Sequence, residues 1–331
     1  MERRPNQITP SERRRRAVRR RRRTALAGVL LVAVAGAVVL TQPGSSAPDR
    51  SGVPLNPAVF ADGSCVAFAP TAGDRNRTVF LDAGHGGIDP GGVGTTRSGT
   101  TIDEATETLP VELDAMALLR ADGFRVVVSR TTADTVVRLT QADRYGGELS
   151  LIGSHDDVAA RDVCADDAHA QALVGIYYDA GASADNAGSL TAYDAVRPFA
   201  ADNLRLATLV QHDVVADMDA QGWGIPDDGV QTDGSLGSFV GNAEDGGIAA
   251  EAASYQHLLL LGPAAPGFFT TPSQMPGAVI EPLYLTDPYE GSIADSSLGQ
   301  RVIAQGIASA FEQYLTPRPA ASGSSSASAS G

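Results

Sequence analysis

Lysine is absent from this 331-residue chain. That rules out a phosphate-cradling loop of the G-x-x-x-x-G-K type and any enzyme that works through a lysine Schiff base. The G-x-S-x-G turn that presents a nucleophilic serine is missing too. Cysteine is scarce: Cys65 and Cys164 are the two in the chain, and no C-x-x-C pair exists to hold zinc. Two cysteines in an exported protein suggest one disulfide, the alternative being two buried free thiols. No internal repeat and no second compositional block is visible, which points to one folded domain.

Charge is present but unevenly placed. Of 25 basic and 39 acidic residues, the first 23 positions hold 11 arginines and two glutamates, which leaves a net charge of −23 on the remainder. A nucleic-acid binder carries its basic patch on the fold, so this pattern argues against a nucleic-acid partner. A basic leader over 1–23 followed by an uncharged, apolar stretch over 24–41 reads as a positive-inside signal for membrane insertion. The stretch is either a retained signal anchor or the apolar region of a cleaved signal peptide, with Ala33-Val34-Ala35 and Ala35-Gly36-Ala37 as small-residue cleavage sites. The long basic flank favours the anchor. Either way the body is expected outside the membrane, in the cell envelope. Residues 42–64 are rich in Pro, Gly and Ser and read as a linker, and 316–331 as a disordered tail. The folded domain is expected over 65–315. Nothing in the sequence fixes an oligomeric state.

Within that domain, apolar strands alternate with amphipathic helices. Strands are expected at 78–82, 124–130, 172–179, 188–194, 257–262 and 277–284. Helices are expected at 104–119, at 202–218 with Leu204 on the buried face, and at 297–314 with Leu298, Val302, Ile303, Ile307 and Phe311 inward. Alternation of this kind implies an α/β fold: a single domain with a mostly parallel, twisted sheet covered by helices on both faces.

In such a sheet, ligands bind beyond the carboxyl ends of the strands. His85, Tyr177 and Glu281 sit at or near such ends. Glu281 precedes Pro282, which biases it towards extended backbone. A carboxylate late in an apolar strand is expensive unless it is paired or in use. The plainer alternatives are an edge-strand ion pair for Glu281 and a turn histidine bonded to local backbone for His85. A sugar-cleaving enzyme with paired carboxylates would explain neither His85 nor its bed of glycines.

The run DAGHGGIDPGGVG from Asp82 resembles the opening motif of the zinc-dependent N-acetylmuramoyl-L-alanine amidases (type 3), which cleave peptidoglycan. Further resemblances follow in order: Glu104 at the start of a helix, VSRTTAD over 128–134, the helix around Arg161, and MPGAVIEPLYLTDPYE over 275–290. DDGV over 227–230 resembles a late turn, with an aspartate where the family has arginine. Residues around 144–158 and 231–256 look inserted or divergent. The resemblance implies peptidoglycan as substrate, one zinc ion held by His85 and Glu104, and Glu281 as the general base. One residue departs from the pattern. The family's third ligand is a histidine, and Tyr177 stands in its place. A phenol must lose a proton to bind zinc and normally titrates near 10. Asp179, two residues along on the same side, is a second candidate, ahead of His155 and His169. The departure leaves a competing reading open: a degenerate amidase domain that binds peptidoglycan or a partner without turnover.

Overall fold

A computed structural model describes residues 52–236 and 248–316. The basic leader, the apolar segment 24–41 and the tail beyond Thr316 lie outside the described residues. No helix among the described residues is long and apolar enough to cross a membrane.

The strands, in chain order, are β1 (Val53–Pro54), β2 (Ser64–Phe68), β3 (Thr78–Ala83), β4 (Val93–Thr95), β5 (Thr101–Asp103), β6 (Arg125–Arg130), β7 (Arg144–Tyr145), β8 (Glu148–Leu149), β9 (Leu173–Ile176), β10 (Ser189–Tyr193), β11 (Asp227–Thr232) and β12 (Gly277–Glu281). The helices are α1 (Glu104–Ala121), α2 (Leu151–Asp167), α3 (Ala200–Ala220), α4 (Ala249–Ser254), α5 (Pro288–Ala294) and α6 (Ser297–Leu315). Eight strands form one sheet in the order β1-β2-β6-β3-β9-β12-β10-β11. The central strands β6, β3, β9 and β12 are parallel, as are β10 and β11, while β1, β2 and the β10–β12 contact are antiparallel. The mostly parallel α/β sheet is thus the observed fold. β4–β5 and β7–β8 form two small separate ribbons.

Strand periodicity explains the layers. Val79 and Leu81, Val126 and Val128, Val174 and Ile176, and Ala278 and Ile280 point to one face, where α1, α3 and α6 cover them. Phe80, Val127, Leu173 and Val279 point to the other face, packed against α2 and the Leu260–Leu261 stretch. Because both faces are buried, β6 can be the β-branched run Val126-Val127-Val128 without a polar side.

Several expectations change in detail. Residues 257–262 form a turn instead of a strand: the Leu258 carbonyl accepts from both Leu261 N and Gly262 N. A short all-apolar run cannot be told from a buried turn by periodicity. β12 stops at Glu281, where Pro282 has no N–H to continue the ladder. Leu204 and Leu298 face solvent at 42% and 51% exposure. The expected linker is structured from Gly52 onward, with β1 paired to β2 and Phe60 fully buried.

Cys65 in β2 and Cys164 in α2 are joined by a disulfide across 99 residues of chain. In the chain-entropy account a loop of about 100 residues contributes up to roughly 4.7 kcal/mol by restricting the unfolded chain. Reduction, or Cys164→Ala, is therefore expected to lower the thermal midpoint by roughly 10 °C for a domain of this size. Calorimetry with and without reductant checks this, and an unmoved midpoint would contradict it.

Glu112 of α1 ties β3 to β6. Its Oε1 accepts from Ala83 N (3.0 Å), Ser129 N (3.0 Å) and Ser129 Oγ (3.1 Å). Burial, together with Asp82 and against the pull of Arg130, pushes its carboxyl up to about 8. The folded state therefore keeps a proton that the unfolded chain releases near the ordinary carboxylate range, so this group makes stability fall as pH rises towards about 8. Glu112→Gln retains the Oε1 acceptor and removes the titration. Its urea midpoint is expected to drop less than the parent's between weakly acid and weakly alkaline pH. Equal drops in both proteins would sink this account.

Candidate active site

β3 delivers the chain into a turn where His85 (φ 60°), Gly86 (134°) and Gly87 (63°) are all left-handed. For a histidine that conformation costs about 1–3 kcal/mol and persists only where the surroundings enforce it. Two buried arginines do so. Arg161 of α2 donates to the carbonyls of Ala83 (2.7 Å) and His85 (2.8 Å) and pairs with Asp82 (2.6 Å) and Asp157 (2.7 Å). Burial opposes its charge, but Asp82 and Asp157 outweigh burial and raise it well above the ordinary arginine value. Arg130, at the end of β6, donates to the carbonyls of Ala83, Gly84 and Ala105.

The imidazole is held at both nitrogens. Nδ1 lies 2.8 Å from Asp89 Oδ2, and Nε2 lies 3.2 Å from Glu104 Oε2. Burial would depress this group, yet Glu104 and Asp89 reverse the effect and raise it to about 10. Glu104 opens α1 directly after Asp103, whose carboxylate caps the helix at Thr106 N. Its Oε1 accepts from Tyr178 N and its Oε2 from Gly92 N, both at 2.8 Å. Gly91 makes the pair feasible, because a Cβ there would lie 2.6 Å from the His85 ring and 2.7 Å from Glu104 Oε2.

Tyr177 follows β9 and packs against Gly84, where a Cβ would meet its ring at 2.4 Å. Its ring meets that of His85 edge-on with centroids 5.4 Å apart. Its hydroxyl donates to Asp82 Oδ2 (3.1 Å). Burial and the Asp82 charge hold the phenol well above its usual range. Burial raises the Asp179 carboxyl, against a smaller opposing effect of the neighbouring Tyr284 hydroxyl. His155 packs on Phe268, with centroids 5.0 Å apart, in a separate apolar cluster. Glu281, at the end of β12, shares a cavity of about 300 Å³ with His85, Asp89, Arg161, Tyr177 and the Leu258–Leu260 turn. Burial, then Asp179 and Glu104, push Glu281 up to about 8.

The His85–Glu104 edge suits a divalent ion. Bonds of about 2.0–2.1 Å in a tetrahedral zinc site place ligand atoms about 3.3 Å apart, close to the 3.2 Å seen here. Asp89 on Nδ1 fixes the ring with Nε2 facing Glu104, the usual support for a metal-binding histidine. The two side chains stand close enough to share one ion. The Tyr177 hydroxyl is engaged by Asp82, and among the described residues the one group of three His, Cys, Asp or Glu close enough to share an ion lies elsewhere.

The family model for N-acetylmuramoyl-L-alanine amidase matches residues 79–313, most of the chain. The chain belongs to that amidase family. The amidase fold recurs in solved structures. The CwlD amidase from Clostridioides difficile, solved in complex with the GerS lipoprotein, superposes with a TM-score of 0.52 at 19% identity, covering 72% of this chain and 98% of that one. Cwp6 from Clostridium difficile superposes with a TM-score of 0.50 at 15% identity, covering 74% of this chain and 30% of that one. At these identities the likeness is one of fold. No curated protein matches the chain by sequence.

The structure of this amidase-family chain also gives partners to residues whose roles no local pattern specified. Asp89 stands four residues after His85 inside the glycine-rich run, and that spacing was the available signal. Asp82, Asp157 and Arg161 form one buried charge network, and its Asp82–Arg161 link spans 79 positions, which no local pattern announces.

Proposed function

We propose that the protein hydrolyses the amide bond between N-acetylmuramic acid and L-alanine in peptidoglycan, outside the cytoplasmic membrane, with its N-terminal apolar segment as tether. The reading rests on His85, whose Nε2 lies 3.2 Å from Glu104 Oε2, lining a cavity that Glu281 also lines. His85 and Glu104 would hold zinc, which supplies Lewis-acid polarisation of the scissile carbonyl. Glu281 accepts a proton from the attacking water at its carboxylate and returns it to the departing alanine amine. Asp89 keeps His85 oriented, and Arg161 keeps the left-handed turn in place. The Leu258–Leu260 turn forms an apolar wall that limits water in the cleft.

A second reading, peptidoglycan binding without turnover, is favoured by one observation: the Tyr177 hydroxyl is committed to Asp82. Two protein donors hold catalytic zinc less firmly than the usual three. Incubating the full-length protein with purified peptidoglycan, zinc-loaded or chelator-treated, separates the two. Zinc-dependent appearance of free L-alanine amino termini supports hydrolysis. Co-sedimentation without release supports the binding reading, and neither result rejects both.

A further inference from the structure

Asp194 and Asp233 leave neighbouring strands in step. Tyr193 and Thr232 are the last registered pair of the parallel strands β10 and β11, so the next residue on each strand is an aspartate. Both are buried, at 0% and 1% exposure. His257 lies between them, with Nδ1 2.9 Å from Asp194 Oδ2 and 3.3 Å from Asp233 Oδ2. The carboxylates are fixed from behind. Asp194 Oδ1 accepts from Val196 N (2.7 Å) and Arg197 N (2.8 Å). Asp233 Oδ1 accepts from Gly234 N (2.9 Å), and its Oδ2 accepts from Leu258 N (3.1 Å).

One imidazole nitrogen carries at most one hydrogen, so it cannot serve both carboxylates. Asp194 Oδ2 is the oxygen left without a hydrogen-bond partner, fully buried and aimed at the ring. A buried carboxylate oxygen in that position is costly unless a cation meets it. The three donor atoms lie within 4.8 Å of one another. The two edges from His257 Nδ1, 2.9 and 3.3 Å, lie at and a little below the roughly 3.3 Å between ligand atoms in a tetrahedral zinc site.

We propose that Asp194, Asp233 and His257 form a second metal site, for a divalent transition ion of the zinc or manganese class. Two carboxylates and one imidazole are the donor set such ions accept, and their two negative charges balance the ion. The site is separate from the His85–Glu104 pair. β10 runs antiparallel to β12, pairing Leu190 with Glu281 and Ala192 with Val279, so Asp194 lies at the opposite end of the sheet from Glu281. The ion would also fasten the cleft wall, because His257 directly precedes Leu258–Leu260.

The test uses the full-length chain carrying His85→Ala and Glu104→Gln, which removes the first pair of donors. After chelation it is titrated with Zn2+ and, separately, with Co2+ for its visible absorption. One ion per chain with a raised thermal midpoint is expected. Adding Asp194→Asn, which keeps the Oδ1 acceptor, or His257→Gln is expected to weaken Zn2+ binding at least about tenfold. Should Asp194→Asn fail to fold by circular dichroism, the less buried His257 position decides. No Zn2+ uptake in the double variant, or uptake indifferent to His257→Gln, overturns the proposal. Neither result depends on whether the His85–Glu104 site is catalytic.

Discussion

Glu281→Gln is expected to reduce amide hydrolysis by about 10²–10⁴-fold, the range for losing a positioned general base. The amide matches the carboxyl group in shape and cannot take a proton. Burial with Asp179 and Glu104 nearby pushes Glu281 up to about 8, so ionised carboxylate grows with pH. Parent activity should accordingly climb on the acid side, and a bound dication beside Glu281 would shift that limb downward by favouring the ionised form. Release of L-alanine amino termini from muropeptides measures the rate. Zinc content and the thermal midpoint should stay at the parent's values, because Glu281 is not among the residues that hold the His85 turn. A variant cutting at the parent's rate would remove Glu281 from the mechanism.

Tyr177→His carries the next largest expectation: zinc affinity higher by at least about tenfold, with amidase activity raised or created. A neutral imidazole binds zinc without giving up a proton, whereas the phenol here is held well above its usual range. The smaller ring fits where Tyr177 lies against Gly84 and beside His85. Asp82 loses a donor but keeps Arg161 at 2.6 Å, so the network below survives. Zinc titration of both proteins with muropeptide release in parallel is the measurement. Equal affinities would turn attention to Asp179 as the donor. Tight zinc without turnover would favour the peptidoglycan-binding reading.

Much of the fold was legible because its strands are apolar on both faces and its helices have one buried stripe. The β3 strand, the His85 turn and the Glu104 helix start lie within about 25 residues of sequence, where motif and geometry coincide. What escaped was set by distance along the chain or by ambiguity in the pattern. Arg161 reaches back 79 positions to Asp82, and Asp194, Asp233 and His257 come from three separate segments. The run His257–Gly262 is apolar enough for a strand, yet its Leu258 carbonyl closes a turn on itself. Leu204 and Leu298 fit a helical stripe by spacing, but helix ends and flanks lie beyond the area the sheet covers.

The two borders of the large sheet have a consequence for how the protein behaves when crowded. At one border β1 is two residues long and contains Pro54, which has no N–H to offer a neighbour. At the other, β11 begins with Asp227 and Asp228, placing negative charge on the outermost strand. Among the described residues, neither border presents a long, neutral ladder of open backbone groups onto which another chain could add. Copies gathered at high local density would therefore resist edge-to-edge stacking and the fibrous aggregation that follows from it.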